Sequence, residues 1–96
     1  MTTETGTFAT PNASKYLQQL CKHFAHKTEV DFTETEGAIS FGLGTARLSA
    51  TDGLLTCHFE LTNAEDATKA HHIIDKHLAR FAFREAFTAM DWTTTA

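Results

Sequence analysis

The sequence predicts an α+β domain: an antiparallel sheet of about four to six strands with two amphipathic helices packed on one face. Three observations carry that expectation. Two stretches, one near each end, repeat their apolar residues with helical spacing, and the segment between them alternates apolar and polar residues with the period of two that marks half-buried strands. A meander with one wet face must bury the other, and in a chain of 96 residues the two helices are what can cover it.

The first strand is expected over residues 3–9, alternating weakly around Phe8. Thr10-Pro11 then offers a capping hydroxyl followed by proline at a first helical position, so a helix is predicted over about 11–27. Its stripe is Ala13, Leu17, Leu20, Cys21 and Phe24, and its last turns are basic, which suits the negative end of the helix dipole. From about 28 to 61 the period switches. Val30 and Phe32, then Ile39 and Phe41, then Ala46, Leu48 and Ala50 define three strands, and Thr51-Asp52-Gly53 turns the chain into a fourth through Leu55, Cys57, Phe59 and Leu61. Asn63 and Asp66 announce a second helix over about 64–82, built on Ala67, His71, Ile74, Leu78 and Phe81. A last strand is expected over 87–92 with Met90 and Trp92 on one face, followed by a frayed threonine-rich end. Nothing in the composition divides these elements into more than one domain.

Composition narrows the functional classes. The net charge is −4 with eight Lys and Arg, too few cations for sequence-independent nucleic-acid binding, which depends on neutralising phosphates. No stretch approaches the ~20 apolar residues of a membrane span, and the first residues lack the pattern of a secretory leader, so a cytoplasmic protein without a membrane partner is expected. Cys21 and Cys57 fall inside apolar patterns and read as buried free thiols.

Six histidines make imidazole chemistry the feature to follow. Helical spacing places Lys15, Gln19, His23 and His26 on one flank of the first helix, near Lys27, and Ile73, His77, Arg80 and Arg84 on a flank of the second. If the helices lie side by side, those flanks meet in a groove suited to a small anionic ligand or a metal chelate. His23, His26, Lys27, His77, Arg80 and Arg84 are therefore the candidate ligand-binding residues. His23 and His26, three apart, can approach one ion, but no HExxH, paired Cys-x-x-Cys or clustered carboxylate completes a site, so neither a resident metal nor a cofactor is assigned. His71 reads as a hydrogen-bonded core histidine, His58 as part of the polar sheet face and His72 as exposed. The acidic stretch Glu29, Asp31, Glu34 and Glu36 reads as the outer face and turn of a hairpin. No residue is assigned a catalytic role.

The run Ala9-Thr10-Pro11-Asn12-Ala13-Ser14-Lys15-Tyr16-Leu17, continuing through Cys21-Lys22-His23-Phe24-Ala25-His26-Lys27, resembles the opening of the bacterial domain of unknown function family 2218. The segment His77-Leu78-Ala79-Arg80-Phe81-Ala82-Phe83-Arg84-Glu85 and the later Trp92 resemble its closing motif. The resemblance implies a small bacterial protein of a family sometimes joined to siderophore-interacting oxidoreductase domains, and hence a link to iron metabolism. It also draws attention to Cys21, Lys22, His23, His26, Lys27, His77, Arg80, Phe81, Arg84 and Trp92.

Three functions follow as expectations. The first is an accessory module, more a binder than an enzyme, that holds a small anion or iron chelate between the helix flanks. The second is a structural or interaction domain acting as a homodimer, with the histidine flanks forming the subunit interface and Phe87, Met90 and Trp92 gaining stability by burial against a partner. The third is a small enzyme using His23 or His77 as an acid or base.

Overall fold

The computed structural model describes residues 2–95. Six strands and two helices follow in the order β1 (Thr2–Ala9), α1 (Ala13–Phe24), β2 (Val30–Phe32), β3 (Glu36–Phe41), β4 (Gly44–Thr51), β5 (Leu54–Leu61), α2 (Ala67–Phe81) and β6 (Asp91–Thr95). A 3₁₀ turn, Ala64–Asp66, leads into α2, and another, Phe83–Glu85, follows it. All strands pair antiparallel in one sheet of order β2-β3-β4-β5-β1-β6.

β1 is not a marginal addition. It lies inside the sheet between β5 and β6, with Gly6 opposite both Cys57 and Trp92. Alternation then fixes which side chains face inward. Ile39, Ala46, Leu48, Leu55, Cys57, Phe59 and Leu61 are buried, and Leu17, Leu20, Cys21 and Phe24 of α1 and Ala70, Ile74 and Leu78 of α2 close over them in one core. Both cysteines are free and buried there, and desolvation pushes the Cys21 thiol up to about 11 and the Cys57 thiol higher still.

Two glycines let elements approach closely. A methyl group on Gly37 would sit 2.7 Å from the Cys21 sulfur, so α1 rests on β3 where β3 has no side chain. On Gly6 it would sit 2.9 Å from the Trp92 ring, which lies flat across β1 in the space left free.

The ends of the elements depart from expectation: α1 stops at Phe24 rather than about 27, with residues 25–27 in a turn, and three further differences follow. α1 begins at Ala13, and Pro11 stands outside it; the Thr10 hydroxyl accepts the Asn12 N–H at 3.1 Å but donates to Glu85 at 2.7 Å, so it serves a tertiary contact as well as the turn. The last strand is Asp91–Thr95 rather than 87–92: Ala86 takes a left-handed conformation at φ 54°, and Phe87 to Met90 cross the end of the core without pairing. The threonine-rich end expected to fray is strand, with Thr93 opposite Thr5. Phe87 and Met90 are buried within the chain and Trp92 is half-buried. Phe87 and Met90 are therefore covered by the chain's own core.

Candidate functional site

Ridge packing of α1 against α2 brings the two flanks together. The His23 and His77 rings meet with centroids 4.9 Å apart, and Phe24 and Phe81 pack around them. The His77 Nδ1–H donates to the Ile73 carbonyl at 2.6 Å, the bond that a helix offers to a side chain four residues on. The His23 Nε2 is shielded from solvent and has no hydrogen-bond partner. Desolvation holds the His23 pKa below its ordinary value, and the neighbouring His77, Lys27, Arg80 and His26 push in the same direction. At neutral pH this is an uncharged imidazole close to the cations Lys27 and Arg80.

His26 and Lys27 are exposed in the turn after α1 and act on His23 only through their charge. Arg80 and Arg84 turn instead into a cleft of about 450 Å³ between the first half of α1 and the end of α2. Lys15, Tyr16 and Gln19 line its α1 wall, and Phe81, Phe83 and Glu85 its other wall. Among the described residues Lys15, Arg80 and Arg84 form no ion pair. The amide oxygen of Gln19, one helical turn before His23, is shielded and unpartnered.

Glu85 determines the shape of this cleft, a role the sequence reading did not give it. Its carboxylate accepts hydrogen bonds from the Thr10 hydroxyl at 2.7 Å, the Asn12 side-chain amide at 3.1 Å and the Tyr16 hydroxyl. The bond from Tyr16 contributes most to holding the Glu85 pKa below its ordinary value, and the same bond raises that of Tyr16. The short turn carrying Phe83 and Arg84 is thus pinned to the start of α1. The one carboxylate of the cleft is engaged by three hydrogen-bond donors, and its three cations form no ion pair with it.

A depression of similar size, about 470 Å³, lies near the β2 edge of the sheet between Phe32 and Arg47. It is a poorer anion site, because Asp31 and Glu36 line it and Arg47 is bonded to Glu60 at 3.2 Å.

A second polar cluster lies on the other side of α2. Glu4 of β1 is fully buried, and its Oε1 accepts the His71 Nε2–H at 2.5 Å while its Oε2 has no partner. His71 stacks on Trp92 at 4.4 Å with an interplanar angle of 12°. Asp75, one turn along α2, accepts the Met90 N–H and the Trp92 indole N–H, both at 2.9 Å. The signal for Glu4 was present in β1, since Glu4, Gly6 and Phe8 share the inward parity. Asp75 shares the His71 face of α2 through the i, i+4 spacing. His58 and His72 are exposed, as their positions in the sequence indicate.

No group of three His, Cys, Asp or Glu side chains able to hold a metal ion occurs among the described residues. No helix among them is long and apolar enough to cross a membrane.

The fold is that of a small α+β protein in which two helices on one face of an antiparallel sheet frame a cleft lined by Lys15, Arg80 and Arg84. The chain belongs to the family described as uncharacterized protein conserved in bacteria (DUF2218), whose model matches residues 5–93. Among solved structures it is similar to PA4090 from Pseudomonas aeruginosa, determined by NMR, with 28% identity and a TM-score of 0.79 over 97% of this chain and 96% of that one. No curated protein matches.

Proposed function

We propose that the protein is a binding module that holds a small anion in the cleft between α1 and α2. The observation that carries this reading is that three of the chain's eight Lys and Arg residues, on a protein of net charge −4, line one cleft without ion pairs. Arg80 and Arg84 present planar forks of N–H donors suited to a carboxylate or phosphate, and Lys15 faces them from α1. His23 and His77 meet beside Phe81 and do not line this cleft.

The iron connection implied by the family belongs to this reading in one form only. Two imidazoles without a third metal-binding side chain favour a chelate carried by its own anionic groups over a bare ion. Nothing comparable supports acid or base chemistry at His23, whose Nε2 is shielded from solvent.

Thermal unfolding with inorganic phosphate, citrate and ferric citrate tests the proposal. A ligand at 100 times its dissociation constant adds about 2.7 kcal/mol to stability. At least one of these anions should stabilise the wild type and fail to stabilise an Arg80→Gln/Arg84→Gln variant. Equal stabilisation of the two proteins would refute the reading. Ferric citrate outperforming citrate would add the iron connection.

A further inference from the structure

Phe83 is 64% exposed, against 36% for Phe32 and 36% for Leu54, the other exposed large apolar side chains among the described residues. Its position is imposed rather than loose. Glu85, two residues on, is tied to Thr10, Asn12 and Tyr16, so the turn holds the phenyl ring at the lip of the cleft. The Arg84 guanidinium carbon lies 5.7 Å from the centre of that ring, and Phe81 stands half-buried in the same wall. The cleft therefore joins cations to aromatic faces, an arrangement that inorganic anions do not use.

We infer that the ligand of this cleft is a planar aromatic carboxylate, an inference that rests on the anion-binding reading above and specifies its ligand class. The carboxylate would take the donors of Arg80 and Arg84, while the ring lies in offset contact with Phe83 and the plane of the Arg84 guanidinium. A volume of about 450 Å³ admits a ring with several substituents. A saturated ring of the same charge and similar bulk buries comparable apolar area but lacks the flat π-face, so the two can be separated by affinity.

The experiment is calorimetric titration of the whole chain with benzoate, cyclohexanecarboxylate and acetate, repeated on Phe83→Ala. Phe83 is outside the core, so its removal leaves the fold intact. Benzoate should bind more tightly than cyclohexanecarboxylate, and acetate should bind most weakly. Phe83→Ala should weaken benzoate by about three- to tenfold and leave acetate unchanged. Equal binding of benzoate and cyclohexanecarboxylate, with no effect of Phe83→Ala, would overturn the aromatic specificity and leave the anion site standing. Absence of saturable binding by all three, together with no response to phosphate or citrate, would overturn both.

Discussion

The His71 imidazole reaches across from α2 to Glu4 of β1, with Nε2 and Oε1 2.5 Å apart and Glu4 without any exposure to solvent. A buried carboxylate is tolerated only with a partner, and His71 is the partner it has. His71→Ala strands that carboxylate, and the expected cost is about 3 kcal/mol of unfolding free energy in urea titrations. Glu4→Leu with His71→Leu removes both polar groups, and should be milder than His71→Ala alone. A double replacement as damaging as the single one would mean that the contact contributes packing and not hydrogen-bond satisfaction.

Asp75 holds the final strand in place by accepting two N–H groups, from Met90 and Trp92. Asp75→Ala leaves both donors short of a partner, at about 1–3 kcal/mol each if they stay buried. Trp92 is the chain's one tryptophan, so its fluorescence reports the site directly. The variant should show a red-shifted emission and a lower Tm, while a spectrum unchanged from wild type would remove Asp75 from the account of β6.

His23 has a folded-state pKa below the 6.5 of an ordinary histidine. The unfolded chain therefore takes up its proton first as pH falls. The stability that a neutral His23 retains above 6.5 is lost between 6.5 and the lower folded-state value, and is constant again below it. His23→Gln should flatten that part of the stability profile. Proton NMR of the ring should give a midpoint below 6.5; a midpoint above it would contradict the shielded environment between the helices.

Gly37 and Cys21 should behave as a coupled pair. Gly37→Ala places a methyl group 2.7 Å from the Cys21 sulfur, so it should destabilise by about 1–3 kcal/mol as overpacking does. Cys21→Ala vacates the space, and Gly37→Ala made in that background should cost much less. Additive costs in chemical denaturation would place the strain elsewhere.

Both helix stripes and the alternation of β2 to β5 were legible in the sequence, because each is a local period imposed by a single buried face. The meeting of His23 and His77 was legible as a conditional: their flanks face each other once the helices lie side by side. The sheet order was not, since placing β1 between β5 and β6 depends on pairings as distant as Thr3 with Glu60 and Thr5 with Thr93. The same distance hid Glu85, whose partners Thr10, Asn12 and Tyr16 lie about seventy residues earlier. Residues 87–92 imitated a strand because Phe87 and Met90 must both be buried, but the turn at Ala86 and the capture of the Met90 N–H by Asp75 delay pairing to Asp91.

The claim that the helix cleft is the binding site is tested most directly by following backbone amide chemical shifts while benzoate is added. Saturable shifts should centre on Lys15, Gln19, Arg80 and Arg84 and disappear in Arg80→Gln/Arg84→Gln. Shifts centred on Phe32 and Arg47 at the sheet edge, or persisting in the variant, would contradict it.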